Sequence, residues 1–157
     1  METILVDGEW LAVSAPEGFA VVPHGELESL MGFKYDRMWG MRDTERHMML
    51  SVTWKDSGKL LTKLASEKSL AKRVDETNAK RHREHGYRRE GFFVRGVAGA
   101  SAQAQGVRFT YDVEGVAHEG EALVFKRGVR CYTLSYSTRS ALATENRPVY
   151  EIGRAHV

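Results

Sequence analysis

Residues 121–138 read EALVFKRGVRCYTLSYST, and their reading decides the fold. Two apolar runs flank Lys126-Arg127-Gly128. In the second run Tyr132, Leu134 and Tyr136 recur at every other position, the period of a strand with one buried face. The basic break ending in glycine lets the chain reverse, so the stretch is predicted to be an antiparallel hairpin. Cys131 lies in its second strand and reads as a small apolar residue filling a sheet face, not as a reactive thiol.

The same period extends upstream. In VRFTYDV, Val107, Phe109, Tyr111 and Val113 alternate with Arg108, Thr110 and Asp112. YRREGFFVRGV (residues 87–97) is a further candidate strand, and AGASAQAQG (98–106) a small-residue loop or irregular edge. Between about Leu60 and His85 the pattern is different. Helix formers dominate without proline or interior glycine, and Leu60, Leu61, Leu64, Leu70 and Val74 fall near helical spacing. Glu76–Lys80 and Lys80–Glu84 are opposite-charge pairs four apart. Gly86 is placed to cap this helix, with Tyr87 folding back onto its last turn.

Nearer the N-terminus, Leu50, Val52 and Trp54 alternate with Ser51 and Thr53. Asp43-Thr44-Glu45-Arg46 reads as the hairpin loop before them. Pro16-Glu17-Gly18 marks a turn between two short apolar runs, and HGELESLMGF (24–33) a short helix covering a sheet edge. At the far end RSALATENRPVYE is helical in pattern. Ser140 is the expected N-cap and Pro148 is placed to open a second helix at its first position. Strands, a long helix, more antiparallel strands and a last helix give an α+β fold. The expectation is a twisted antiparallel β-sheet of about six strands with one long helix and a C-terminal helix packed on it.

At 157 residues, 42% hydrophobic and 28% charged, the chain fits one globular domain, assigned to residues 1–151. Residues 152–157, IGRAHV, carry no continuing helical period. They equal the translation of a sequencing-library adapter, ATC GGA AGA GCA CAC GTC, and are expected to be a non-native tail, which strikes His156 from any site. METILVDGEWLAV has no basic region followed by an apolar stretch, so it does not read as a signal peptide. No apolar run approaches the roughly 20 residues that span a bilayer. The expected location is cytoplasmic.

Few function classes survive. A balance of 23 Lys and Arg against 21 Asp and Glu leaves +2, too little to imply a polyanion partner. KRHREHGYRR (80–89) is basic and contains an aromatic, but residues 67–90 hold eight basic against five acidic side chains. Cations at a helix C-terminus offset its dipole, so a solvated helix end is the reading and nucleic acid is not an expected partner. His82 and His85 are three apart, yet HExxH and CxxC are absent; no metal residue and no cofactor is assigned. There is no GxSxG, and Gly96, Gly99 and Gly106 match no phosphate-loop spacing, so no catalytic residue is assigned. The aromatics sit mostly at alternating strand positions and read as core, Trp39 being the least certain.

Taken together, LAVSAPEGF, RHMMLSVTWK, a long charged helix closing at HGYRREGF, and VRFTYDV followed by EALVFKRGVRCYTLSYST and a last helix resemble one superfamily. This is the PsbP-like αβα sandwich, in particular its small bacterial members related to DcrB. The resemblance covers roughly residues 9 to 150 and rests on element order and local phrases. It implies a non-enzymatic module. The superfamily includes extrinsic subunits of the photosynthetic water-oxidising complex, binders of the GTPase Ran, and chaperones for secreted bacterial effectors. The resemblance carries no site residues across, so the binding residues, partner identity and oligomeric state stay open. The expected function is protein interaction or a chaperone-like role, with another protein as partner. The alternative is a small-molecule-binding or enzymatic domain with a pocket on the sheet, lined by polar groups such as His47 or Arg108.

Overall fold

The computed structural model of the chain describes residues 2–8, 11–32, 37–56, 67–97, 103–128, 130–152 and 155–156. In chain order the elements are β1 (Glu2–Asp7), β2 (Leu11–Ala15), β3 (Ala20–Val21), α1 (His24–Met31), β4 (Met38–Asp43) and β5 (Met48–Asp56). Then come α2 (Glu67–Arg81), β6 (Arg88–Arg95), β7 (Ala104–Val113), β8 (Val116–Arg127), β9 (Arg130–Arg139), α3 (Ala143–Ile152) and β10 (Ala155–His156). Short 3-10 turns at Arg83–His85 and Ser140–Leu142 follow α2 and precede α3.

The α+β expectation holds. The main sheet is antiparallel and has seven strands, in the order β3-β4-β5-β9-β8-β7-β6. The hairpin at 121–138 forms its middle, β8 paired with β9 from His118↔Arg139 to Arg127↔Arg130. A second sheet, β1-β2-β10, was not foreseen. Within it, Ala155 and His156 pair antiparallel with Val13 and Ala12 of β2.

One face of the main sheet packs against the small sheet and the other carries α1 and α2. On the inner face Leu50, Val52, Leu123, Phe125, Tyr132, Leu134 and Tyr136 meet Leu11, Val13 and Ala15 of β2. Fully burying one such side chain contributes about 1.5–3 kcal/mol, so this layer dominates stability. On the helical face, Leu70, Ala71 and Val74 of α2 pack on Val124 and Cys131, and Val74 reaches the Val107, Phe109 and Ala122 cluster. Cys131 is buried there, as its small apolar character suggested. Trp39 lies in β4, half-buried against the inner core.

α1 covers β4 at the other side of the helical face, through Leu27 with Val22 and Met38. Gly40 makes this possible, because a Cβ there would lie 2.9 Å from Leu27 Cδ1. The helices therefore sit apart on this face: α1 over β4, α2 over β7 and β8.

The long helix is described from Glu67; Leu60–Ser66 fall outside the described residues. Its end is as read, with Gly86 at φ +64° closing the 3-10 turn, but Tyr87 reaches further back and donates to Asp75 Oδ1 at 2.7 Å. At the other end Ser140 lies in a 3-10 turn with Arg139 as its boundary, and Pro148 sits inside one helix instead of opening another. The register of that helix is fixed by Asn146, 3% exposed, whose Nδ2 donates to Arg46 O and to Thr138 Oγ1, each at 2.8 Å.

Polar clamps tie the layers together. Asp7 of β1 accepts from Tyr132 Oη at 2.7 Å and Arg130 Nη1 at 2.5 Å, and Arg130 Nε reaches Asp56 at 3.1 Å. In the loop after β4, Asp43 Oδ1 accepts the backbone N–H of Glu45 and Arg46, and the Arg46 guanidinium pairs with its other oxygen. Burial works to raise the Asp43 pKa, but the hydrogen bonds and charge of Arg46 outweigh it and hold the carboxyl below its usual range.

Candidate functional site

Because α1 and α2 stand apart, the strip of sheet between them, β5 and β9, is left as the floor of a cleft of about 430 Å³. The floor is polar for a local reason. In both strands the apolar residues of the alternating pattern point to the inner core, so their alternates face the helices. Those alternates are Ser51 and Thr53 on β5, paired across the ladder with Ser135 and Thr133 on β9. All four line the cleft.

None of these four hydroxyls makes a hydrogen bond with another described residue. Ser51 is only 6% exposed. A buried hydroxyl without a protein partner is uncommon, and such groups are satisfied by water or by a ligand.

The walls come from the helices. Val74, Thr77, Asn78 and Arg81 project from α2, and Met31 from the end of α1. Thr77 donates its hydroxyl to Arg73 O at 2.9 Å, so it is already committed within its helix. Lys55 lies at the end of the floor where β5 meets Cys131. Arg81, in the last turn of α2, lies at the opposite end, beside the ring of Tyr111. No carboxylate is among the described residues of the lining.

Beyond Arg81 the histidines form a stack. His82 lies 4.2 Å from the Tyr111 ring and nearly parallel to it, and His118 also stacks on Tyr111, at 5.4 Å. Burial pushes the His82 pKa down to about 4, with the positive charges of Arg81, His85 and His118 adding to the effect. The imidazole is therefore neutral at pH 7 and acts as an aromatic spacer. Burial also raises the Tyr111 pKa, against a hydrogen bond from Ser137.

The residues that sequence reasoning weighed fall elsewhere. His47 is exposed in the β4–β5 turn, at φ +54°. Arg108 is on the inner face, where it and Arg95 pair with Glu121 at 2.8 and 2.9 Å; Glu121 is 3% exposed. Tyr136 lies opposite Glu121, and burial, then the charge of Glu121, pushes its pKa up to about 12. His82 and His85 do come together, ring centroids 5.9 Å apart, but among the described residues no group of three His, Cys, Asp or Glu could hold a metal ion. In the basic cluster, Arg89 pairs with Asp75 at 3.1 Å and the Tyr87 ring is half-buried. The hydroxyl strip was missed. Its signal is Ser and Thr at the polar alternates of two strands, and it becomes a site only once those strands are known to be neighbours.

No protein-family model matches the chain, and no curated protein matches it. Solved structures do. The solution structure of cyanobacterial PsbP (CyanoP) from Synechocystis sp. PCC 6803 superposes with a TM-score of 0.73 at 16% identity, over 99% of this chain and 91% of that one. The fold is PsbP-like. LpqN of Mycobacterium tuberculosis, involved in cell envelope biogenesis, gives 0.62 at 11% identity over 93% and 82% of the two chains. The Saccharomyces cerevisiae Ran-binding protein Mog1p gives 0.58 at 7% identity over 94% and 82%. At these identities the PsbP-like fold is shared across proteins of different roles, and function has to be argued from the site. No helix among the described residues is long and apolar enough to cross a membrane.

Proposed function

We propose that this chain is a non-catalytic binding module that holds a small molecule in the cleft between α1, α2 and the β5–β9 strip. The observation that carries this is the row of four hydroxyls, Ser51, Thr53, Thr133 and Ser135, at the floor of a cleft of about 430 Å³, none bonded to a described residue. That volume lies within the range of ligand sites, roughly 300–1,000 Å³, and convergent polar groups are what such sites use for orientation. No histidine or carboxylate is among the described lining residues, which favours binding over acid–base chemistry. A fragment screen followed by amide NMR tests it. Shifts are expected at residues 51–55, 131–135 and 74–81. Hits scattered over the surface, or no hits, overturn the reading.

Protein interaction is the second reading, favoured by a separate feature. β6 is an edge strand on which Phe92 and Val94 are 40% and 50% exposed. An open strand edge with apolar side chains invites pairing. Mog1p, of similar fold, is by name a Ran-binding protein. A pull-down comparing the wild type with a Phe92→Asp/Val94→Asp variant decides it. The reading needs a partner recovered by the first and lost by the second.

A further inference from the structure

Resting on the cleft reading, we propose that the cleft takes a polyhydroxylated carboxylate of the sugar-acid class, with its single charged end at Lys55. Three observations carry it. The first is the order of groups on the floor. On the helical face the β5–β9 ladder presents Ser51 beside Ser135, then Thr53 beside Thr133, then Lys55 beside Cys131. Each step along one face of a strand is two residues, about 7 Å, so the hydroxyls lead in line to one ammonium. A ligand lying along them is elongated, carries hydrogen-bonding groups along its body and is anionic at one end.

The second is which polar groups remain to be matched. None of the four hydroxyls bonds to a described residue, and Ser51 is 6% exposed. An alkyl chain over Ser51 would bury its hydroxyl without a partner, at a cost to binding, whereas a ligand hydroxyl satisfies it. Lys55 makes no ion pair with a described residue, and the described lining contains no carboxylate to neutralise it. The polar groups of the α2 wall are already engaged: Thr77 with Arg73 O, Asn78 with Tyr87, and Arg81 with a partner inside the protein. One ammonium therefore meets the ligand, and it balances one carboxylate. The third is the wall itself. Val74 of α2 and Met31 at the end of α1 are apolar and stand over the hydroxyl floor. A polyol chain presents C–H groups as well as hydroxyls, which matches a cleft that is polar below and apolar at its sides.

Sorbitol, gluconate, glucarate and hexanoate test this directly. They share one chain length and carry, in turn, hydroxyls alone, hydroxyls with one carboxylate, hydroxyls with two, and a carboxylate alone. By calorimetry at low salt, gluconate is expected to bind about fivefold tighter than sorbitol, and glucarate no more than about twofold tighter than gluconate, the statistical factor for two equivalent ends. Hexanoate should bind about tenfold or more weaker than gluconate. Lys55→Ala should bring gluconate down to the level of sorbitol, and Ser51→Ala should weaken sorbitol and gluconate alike, about fivefold, with their ratio kept. Lys72→Ala, on the exposed side of α2, should change nothing; a loss there equal to that of Lys55→Ala would mean a diffuse charge effect and overturn the proposal. Gluconate no tighter than sorbitol, hexanoate equal to gluconate, or glucarate far tighter than gluconate, while neutral fragments still occupy the cleft, overturns the sugar-acid assignment and leaves the binding module standing. If neutral fragments fail as well, both fall. Circular dichroism of the Lys55 and Ser51 variants establishes that they are folded.

Discussion

Glu114 has φ +49° and Gly115 φ +80°, in the two-residue turn that joins Val113 of β7 to Val116 of β8. Two positive φ values in a two-residue hairpin favour Asn-Gly, and glutamate is a poor fit to the first position. Glu114→Asn is expected to stabilise the protein by roughly 0.5–1 kcal/mol, read as a higher urea midpoint at unchanged slope. A lower midpoint would show that Glu114 makes a contact worth more than its strain. His82 gives a second residue-level prediction. In the folded protein its imidazole stays neutral down to about pH 4, whereas in the unfolded chain it titrates near 6.5. Between these values the unfolded chain binds the extra proton, so stability is fully present above the window and falls as the pH is lowered through it. The urea midpoint should drop from about pH 7 to about pH 5, and His82→Phe, which keeps the stack, should flatten the drop. Neither feature was legible: Glu-Gly is a weak turn signal, and the burial of His82 depends on Tyr111, which joins it only through the fold.

At the scale of elements, local signals served well where they were strong. The β8–β9 hairpin, the Asp43–Arg46 turn, the helix ending at Gly86 and the strand at VRFTYDV are where alternation and glycine placed them. What failed was non-local. β5 pairs with β9, far along the chain, and no spacing announces it; the cleft floor follows from that pairing alone. β1 was overlooked because none of its side chains is fully buried and its inward stripe is short, Ile4 and Val6 only. It is held by backbone pairing, by Ile4 and Val6 against the core and by Asp7. Tyr132→Phe removes the hydroxyl that donates to Asp7 and should cost about 1 kcal/mol, or about 2–4 °C in melting temperature. The loss should appear first as faster amide exchange in β1. Uniform loosening with β1 spared would mean that the small sheet is held by packing alone.

For the whole molecule, element order was enough to reach the PsbP-like fold, since layered packing leaves few ways to cover an antiparallel sheet. Site chemistry did not follow. A motif is legible when its residues are close in sequence, and here the floor comes from two distant strands and the walls from two distant helices. The hydroxyls were visible one by one, as the polar half of an alternating strand, a role that carries no function until the strands meet.

One further property follows from β8. Glu121 to Phe125 are consecutive and all buried, because the inner core packs on one face of this strand and α2 on the other. Solvent reaches those amides only when both layers separate. Their deuterium uptake should therefore report global unfolding, whereas amides of β6 and β3 at the sheet margins exchange through local opening at far lower free energy. If β8 exchanged as fast as β6, the two faces would open independently, and the protein would have two units of cooperativity where its layers suggest one.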